Sequence, residues 1–234
     1  MAIIFLDSVT STNTYCGRNI DNLKHADIVR ARRQSEGRGR KQRIWSSEEG
    51  GLYFSLVLKE GLGGIKTLGL LTQIMALAVC KTARRQGVEA YIKWPNDVLA
   101  QGRKFCGILS EAIFDGEKLK AVIIGTGVNV SQDKINSEKP SITLRSLGVK
   151  KDAEKLLEDI IANFTADFSL LNRAGFEPLR ALYKEYFLYL GKPVTMRVFD
   201  EELHGIAEDI DETGRLVLNE GGKRRLIEIG DMDF

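Results

Sequence analysis

The spacing of hydrophobic and polar residues predicts a domain that mixes strands with helices. Leu52–Leu58 is an almost continuous apolar run, which is typical of a strand buried on both faces. Residues 27–31 predict an earlier strand that leads into a polar, glycine-rich loop over 35–51. Residues 67–86 have helical character and stop before Gly87, a residue suited to a helix C-cap. These elements predict an α+β fold.

Two more strands and two more helices follow. Residues 104–114 and 119–125 predict strands joined by a turn at Asp115-Gly116. A helix is expected from near Asp152, because apolar residues recur there along one helical face. Another helix is predicted over 177–189. The apolar face of the first of these helices comprises Leu156, Leu157, Ile160, Ile161, Phe164, Phe168 and Leu171.

The pattern changes after Gly191-Lys192-Pro193 to short strands separated by turns. Val194, Met196 and Val198 alternate with their neighbours, as strand residues with one buried face do. About 43 residues of this kind fit a small β-barrel. We therefore expect a large domain over 1–190 and a small barrel domain over 191–234.

The composition describes an ordinary folded protein. With 234 residues, of which 43% are hydrophobic, the chain can bury a core without disulfides or metals. The three cysteines are widely separated, and we expect Cys80 and Cys106, which lie in apolar runs, to be buried and inert. The amino terminus does not resemble a signal peptide, and the most apolar stretch, 68–79, is too short to span a membrane. We expect a soluble, cytoplasmic protein with no membrane partner.

Positive charge is concentrated in one loop. The formal net charge is only +2, whereas residues 30–43 carry seven Arg or Lys residues against the single acid Glu36. In Gly37-Arg38-Gly39-Arg40 the glycines allow unusual dihedrals and close approach of backbone N–H groups to an anion, and the guanidinium groups match phosphate or carboxylate oxygens. A solvated basic loop or a nucleic-acid-binding arm explains this composition equally well. Trp45 favours the anion site, because an apolar ring can close over a ligand; a buried core position is its alternative.

Other nucleotide-binding and catalytic patterns do not fit. The glycine cluster at 61–67 lacks the Gly-Lys-Ser/Thr ending of a P-loop. The one at 125–130 lacks the third glycine of a dinucleotide fingerprint. His25 and His204 are too few and too far apart to infer a metal site or a catalytic triad.

Three further segments place polar residues at predicted strand ends. In Lys93-Trp94-Pro95-Asn96-Asp97 the proline favours extended geometry at Trp94 and ends a strand, so Asn96 and Asp97 are expected in a turn, although Pro-Asn-Asp is also a common β-turn. Lys104-Phe105-Cys106-Gly107 sets a charge before an apolar strand and a glycine where another group must approach the backbone. Gly125-Thr126-Gly127-Val128-Asn129 is a strand-to-loop junction of small residues with one amide. Each segment is a weak indicator alone.

Together these motifs closely resemble those of the biotin–protein ligases. The resemblance runs from about Phe5 through the small C-terminal domain, and its most specific elements are the GRGR and KWPND segments. It implies a mixed β-sheet flanked by helices, like that of class II aminoacyl-tRNA synthetases, with an SH3-like C-terminal barrel. Because the chain starts almost directly on the predicted catalytic domain, we expect the monofunctional type without an N-terminal DNA-binding domain, and no DNA partner. The motifs that match are Ser11-Thr12-Asn13, Gly37-Arg38-Gly39-Arg40, Lys93-Trp94-Pro95-Asn96-Asp97, Lys104-Phe105-Cys106-Gly107 and Gly125-Thr126-Gly127-Val128-Asn129.

The resemblance also implies a reaction in two steps. The biotin carboxylate attacks the α-phosphorus of ATP and releases pyrophosphate, with Mg²⁺ sharing the charge neutralisation. A lysine of a biotin carboxyl carrier protein then attacks the resulting biotinyl-5′-AMP. Lys104, Arg40 and Lys93 are the expected catalytic cations, and Asp97 is expected to orient or deprotonate the acceptor lysine. The residues expected to bind biotin are Ser11, Thr12, Asn13, Gln34, Arg38, Gly39, Arg40, Trp45, Lys104 and Gly107. Those expected to bind ATP or the adenylate are Gly37, Arg38, Arg40, Arg43, Asn96, Lys104 and Asn129.

Three alternatives compete with this interpretation. A lipoate or octanoate ligase shares the fold and chemistry but does not need the Ser-Thr-Asn set that suits the ureido ring of biotin. A non-catalytic biotin- or nucleotide-binding module has no need for both Lys104 and Arg40. The near-neutral total charge disfavours a nucleic-acid-binding protein. The sequence does not identify the acceptor protein or any metal ligands, and it is compatible with a monomer or a homodimer.

Overall fold

The computed structural model describes residues 1–62 and 68–233, and its largest element is a seven-stranded mixed sheet. The strand order is β1-β2-β3-β7-β6-β5-β4, in which β1 and β2 are parallel and the remaining neighbours are antiparallel. The mixed sheet that the family resemblance implies is therefore confirmed. The strands are β1 (Ile3–Val9), β2 (Ile28–Gln34), β3 (Leu52–Leu58), β4 (Ala90–Lys93), β5 (Asp97–Ala100), β6 (Arg103–Asp115) and β7 (Lys118–Val128).

Helices cover both faces of this sheet. α1 (Thr12–Arg18) packs over β3 and β7, whereas α2 (Leu68–Arg85) packs over β4 to β7 and carries α3 (Ala153–Ala174) on its other side. Every residue of β3 is buried, as the apolar run predicts. Val57 belongs to the hydrophobic cluster under α1, and its neighbours Leu56 and Leu58 belong to the core under α2. Alternate residues of β3 thus serve opposite faces of the sheet.

The helix ends follow local chemistry. Asp152 caps α3 by accepting a hydrogen bond from the Lys155 N–H at 2.9 Å, which confirms the predicted start. The last helix, α4 (Glu177–Tyr186), is shorter than the predicted 177–189. Phe187 is extended and forms a β-bridge with Ile92, so β4 takes the backbone hydrogen bonds that would have continued the helix. The predicted helix start at Thr67 and most of the 61–67 glycine cluster lie outside the described residues.

The cysteines lie in the interior. Cys16, Cys80 and Cys106 are all buried, as expected for Cys80 and Cys106. Burial raises the pKa of the Cys80 thiol to about 12 and also raises that of Cys106, so both stay protonated at neutral pH. Among the helices described, none is long and apolar enough to cross a membrane.

The C-terminal residues form a separate antiparallel sheet. Its strand order is β11-β10-β9-β8-β12. Val194 and Met196 point inward as predicted, and they join the same hydrophobic core as Trp94, in the turn between β4 and β5, and Tyr183 of α4. The domain division near residue 191 stays a prediction. The strands are β8 (Pro193–Val198), β9 (Glu201–Ile210), β10 (Leu216–Glu220), β11 (Lys223–Ile227) and β12 (Asp231–Asp233).

One backbone carbonyl ties the C-terminal sheet to the larger one. The carbonyl oxygen of Gly214 accepts hydrogen bonds from Trp94 Nε1 at 3.1 Å and from Gln73 Nε2 at 2.5 Å. Gly214 has a φ of +82°, and a Cβ on it would lie 2.5 Å from Gln73 Oε1, so only glycine fits this turn. The turn therefore sits directly behind the Trp94-Pro95-Asn96 segment, whose Trp94–Pro95 peptide bond is cis.

We predict that Trp94→Phe lowers the free energy of unfolding by about 2 kcal/mol, since it removes a buried hydrogen bond and leaves a small cavity. Urea unfolding followed by circular dichroism measures this loss. The matched control is Trp45→Phe, a half-buried position, where we expect a loss below about 0.5 kcal/mol. Equal losses at the two positions would contradict the role given to the Gly214 contact.

Candidate active site

A cavity of about 360 Å³ opens on the α1 face of the larger sheet. Its volume falls in the range of small-molecule sites. Three segments besides the sheet and α1 close it: the basic loop (residues 37–45), residues 136–139, and Asp231 of β12. The predicted site residues that line the cavity are Ser11, Thr12, Asn13, Gln34, Arg38, Gly39, Arg40, Arg43, Trp45, Asn96, Asp97, Lys104 and Gly107. Gly37, Lys93 and Asn129 lie outside its lining.

The wall formed by β6 and β7 carries no side chain at three positions, which we call the glycine strip (Gly107, Gly125 and Gly127). Gly107 pairs directly with Gly127 across the two strands, and Gly125 lies two residues along β7 on the same face. A Cβ on Gly127 would lie 2.3 Å from Trp45 Nε1, and one on Gly125 would lie 2.2 Å from Asn13 Oδ1. The strip therefore lets Trp45 and Asn13 lie against bare backbone. The motifs located these glycines, but their pairing depends on the strand register.

Trp45 and Lys104 form one wall of the cavity. Trp45 is half-buried, so the core alternative for this residue is wrong. Lys104 Nζ lies 5.1 Å from the centroid of the indole ring, within the range of a cation–π contact. The same Nζ atom is 2.6 Å from Asp97 Oδ1. Asp97 is the first residue of β5, not a turn residue as predicted, and it pairs with Gly107 across the sheet.

The glycines of the basic loop act differently from the expectation. Gly39 has an ordinary φ of −103°, and positive φ values occur instead at Lys41 and Gln42. The Gly39 N–H donates to the Arg43 carbonyl at 2.7 Å, so this N–H is already used within the loop. A Cβ on Gly37 would lie 2.4 Å from the Trp45 carbonyl oxygen. The predicted unusual dihedrals are wrong, because glycine is needed at 37 for close packing of the loop on itself.

Arg40 joins three parts of the site. Its Nη1 donates to Asn96 Oδ1 at 3.1 Å, and its Nη2 donates to the Gly230 carbonyl at 3.0 Å. Burial lowers the pKa of Arg40. The guanidinium therefore connects the basic loop, the 94–96 turn and the C-terminal sheet.

Asp231 is a cavity residue that the sequence did not indicate. Its carboxylate lies 3.7 Å from Arg40 and 3.2 Å from Lys41, and it also pairs with Arg43. Burial opposes its ionisation, but the hydrogen bond from Lys41 and the charges of Arg40 and Arg43 hold the pKa of Asp231 below its usual value. No nearby motif could have indicated this residue, because its partners lie almost 190 positions earlier.

Lys93 and Asn129 support the wall from behind. Burial lowers the pKa of Lys93, and the charge of Lys139 adds to this shift. Lys93 pairs with Asp97 in the β4–β5 register. Asn129 is only 1% exposed, and its Oδ1 accepts a hydrogen bond from Gln132 Nε2 at 3.0 Å.

A connected set of polar side chains forms the polar floor (Thr12, Asn13, Gln34 and Ser55) of the cavity. Gln34 Oε1 accepts the Thr12 N–H at 2.8 Å. The Ser55 hydroxyl lies 2.7 Å from Thr12 Oγ1 and 2.6 Å from Asn13 Oδ1. Ser55 is fully buried and was missed at the sequence level, although it is a hydroxyl within the apolar run of β3. Ser11 caps α1 beside this floor, with its Oγ facing the Thr14 N–H.

Two family models match the chain. Residues 5–129 match the model of the biotin/lipoate A/B protein ligase family, and residues 189–234 match that of the biotin protein ligase C-terminal domain. The chain belongs to the biotin/lipoate A/B protein ligase family. The second match is described for biotin protein ligases, and it therefore favours biotin over the lipoate or octanoate alternative. The chain is an enzyme with biotin–protein ligase activity.

Individual relatives span most of this ligase. It is 33% identical to the bifunctional ligase/repressor BirA of Bacillus subtilis, an alignment that covers 95% of this chain and 71% of the relative. It is 32% identical to the biotin–[acetyl-CoA-carboxylase] ligase of Paracoccus denitrificans, with 96% and 97% covered. The biotin protein ligase from Aquifex aeolicus in complex with biotin and ATP superposes with a TM-score of 0.87 at 26% identity, over 99% of this chain and 97% of that one.

We predict that Gly127→Ala weakens biotin binding by this ligase about tenfold or more, because the added methyl group displaces the Trp45 ring. Isothermal titration calorimetry with biotin measures the change. Gly69→Ala is the matched control, since a Cβ there meets no atom within 4 Å and leaves the cavity intact. Unchanged biotin affinity in Gly127→Ala would show that the indole position does not matter.

Proposed function

We propose that the cavity makes biotinyl-5′-AMP from biotin and ATP with release of pyrophosphate, and that the biotin then passes to a lysine of an acceptor protein. The observation that carries this proposal is that cationic side chains and an uncharged polar floor line the same cavity of about 360 Å³. A carboxylate and a triphosphate repel each other, so their reaction needs fixed positive charge where they meet. Lys104, Arg40 and Arg43 supply that charge here.

The polar floor suits the biotin head group. Thr12, Gln34 and nearby Ser11 offer uncharged donors and acceptors, as a neutral ureido ring requires. Trp45 would cover the apolar tail against the glycine strip. Asn13 donates its two amide protons to the Leu109 carbonyl at 3.2 Å and to Glu111 at 2.6 Å. Its role would therefore be to shape the floor.

The cations would act on the carboxylate and the phosphates. Lys104 Nζ would neutralise the biotin carboxylate and the charge that develops on the α-phosphate. Arg40 and Arg43 would leave their ion pairs with Asp231 and bind phosphate oxygens instead. A planar guanidinium group binds two such oxygens at once. Arg38, Gly39, Gly107 and Asn96 would complete the contacts. We place Gly37, Lys93 and Asn129 in supporting roles, because they lie outside the cavity lining.

The second step needs a neutral amine. The acceptor lysine, with a pKa of about 10.4, is protonated at neutral pH. Asp97 would orient this lysine and accept its proton. The amine then attacks the carbonyl carbon of the mixed anhydride, an amide bond forms, and AMP leaves with the electrons of the broken C–O bond. The acceptor we propose is a biotin carboxyl carrier domain.

Mg²⁺ is expected to arrive with the nucleotide. Among the described residues, no group of three or more His, Cys, Asp or Glu residues could hold a metal ion. Mg²⁺ in nucleotide sites is commonly bound by substrate phosphates and one or two carboxylates. When bound, the ion would neutralise part of the phosphate charge beside Lys104 and Arg40.

Biotin-dependent exchange of pyrophosphate into ATP tests the proposed first step. We expect exchange with biotin and none with lipoate or octanoate, and Lys104→Ala should slow it about 100-fold or more. Lys118→Ala, in the exposed β6–β7 hairpin, is the matched control and should keep the wild-type rate. Exchange with lipoate but not with biotin, or full exchange in Lys104→Ala, would refute the assignment.

We predict that Arg40→Gly releases biotinyl-5′-AMP about tenfold faster, because the loop loses its hydrogen bonds to Asn96 and Gly230. Released adenylate acylates stray amines, so biotin should accumulate on the lysines of an added bystander protein, detected on a streptavidin blot. Lys118→Gly, an exposed cation in the β6–β7 hairpin outside the cavity lining, serves as the control. Bystander labelling no higher in Arg40→Gly than in this control would exclude the shielding role of Arg40.

A further inference from the structure

Glu111 of β6 connects the polar floor to the basic loop. Its Oε2 accepts a hydrogen bond from Asn13 Nδ2 at 2.6 Å. Its two oxygens lie 3.2 and 3.3 Å from Arg38 Nη2. Glu111 projects from the same face of the sheet as Gly107, because the two are four residues apart on one strand. This carboxylate is therefore the point where floor and loop meet.

The orientation of Asn13 follows from its neighbours. The side-chain carbonyl oxygen of Asn13 accepts from the buried Ser55 hydroxyl, so its NH₂ group must face Leu109 and Glu111. The carboxylate oxygens of Glu111 accept from this amide and from the guanidinium of Arg38. Both contacts are consequently charge-assisted and stronger than neutral hydrogen bonds.

The same polar chain reaches the other end of the basic loop. From Asn13 it runs to Ser55, whose hydroxyl donates to Asn13 Oδ1 and lies 2.7 Å from Thr12 Oγ1, and the Thr12 N–H then donates to Gln34 Oε1 at 2.8 Å. Gln34 Nε2 donates to Ser47 Oγ at 2.8 Å, and Ser47 Oγ donates to the Trp45 carbonyl at 3.1 Å. The network is thus attached at Arg38 on one side and at Trp45 on the other, with the polar floor between them.

Arg38 can serve two partners at once. A guanidinium has five N–H donors, and Glu111 engages one terminal nitrogen of Arg38. The remaining donors can face a ligand in the cavity, whose lining includes Arg38. With Arg38 and Glu111 46% and 32% exposed, the pair lies near the surface, so its strength is moderate.

We propose that Glu111 is a positioning residue that couples biotin on the polar floor to ordering of the basic loop through Arg38. The proposal rests on the proposed function of this cavity. A ligand that holds the polar floor in place also holds Asn13 and Glu111, and this fixes the anchor for Arg38. Without the carboxylate, biotin still binds the polar floor, but its binding no longer orders the basic loop.

Glu111→Gln isolates the charge, because glutamine keeps an acceptor for Asn13 and loses the ionic partner of Arg38. We expect KM for biotin in pyrophosphate exchange to rise about tenfold, kcat to stay within about twofold, and biotinyl-5′-AMP to dissociate about tenfold faster. Glu111→Asp keeps the charge, so its KM for biotin and its rate of adenylate release should lie within about threefold of the wild-type values. The matched control is Glu49→Gln, which removes a Glu–Arg pair of 3.3 Å between Glu49 and Arg32 without touching the floor, and it should behave as wild type.

Hydrogen exchange of the loop amides at 37–45 measures the coupling directly. Saturating biotin should protect these amides in wild type and in Glu49→Gln, and should protect them about tenfold less in Glu111→Gln. The double variant Glu111→Gln/Arg38→Gln should differ from Arg38→Gln by less than about twofold in biotin-dependent protection, since the two residues act through one contact. Equal biotin-dependent protection in wild type and Glu111→Gln overturns the proposal.

The outcomes separate the two proposals. Absence of biotin-dependent exchange in the wild-type ligase refutes the proposed function, whatever Glu111 does. Exchange in wild type together with wild-type KM, adenylate release and loop protection in Glu111→Gln refutes only the role of Glu111. If Glu111→Gln loses the native circular dichroism spectrum, Arg38→Gln tests the proposal in its place, because it keeps the hydrogen bond between Asn13 and Glu111 and removes the contact with the loop. Full protection of the loop amides by biotin in Arg38→Gln would then overturn the proposal.

Discussion

The cavity depends on bare backbone where two strands meet. Gly107 and Gly127 face each other across β6 and β7, and Gly125 extends the glycine strip along the same face. Any side chain at these positions would occupy the space of Trp45 or Asn13. The indole, the polar floor and the cation of Lys104 can share one small volume only because this part of the sheet carries no side chains. Protein interiors are close-packed, so an opening at this wall needs positions that carry no side chain.

Charge in the site is balanced within the chain. Lys104 pairs with Asp97, and the cations of the basic loop pair with Asp231 and Glu111. Each carboxylate keeps a cation in place that would otherwise repel its neighbours. A substrate anion that binds these cations therefore replaces the carboxylates already paired with them. It does not bind to a cluster of unpaired positive charges. This arrangement makes both the C-terminal sheet and β6 part of the site.

The C-terminal sheet acts on the site through two contacts. The Gly214 carbonyl holds Trp94 from behind, and β12 with the preceding Gly230 meets the basic loop from the front. Because its core residues are continuous with those of the larger sheet, this part of the chain contributes to the shape of the cavity as well as to its charge.

The sequence by itself determined the elements and the chemical groups. The apolar run of β3, the Asp152 cap and the change of period after Gly191 depend on neighbours along the chain, and the specific motifs named most of the cavity lining. Tertiary structure alone decided how these groups are paired. The partners of Asp231 and Glu111, the burial of Ser55, the ordinary dihedral of Gly39 and the early end of α4 depend on strand register and on contacts across many tens of residues. Local patterns carry no information about such contacts, because hydrogen bonds and ion pairs form between neighbours in space.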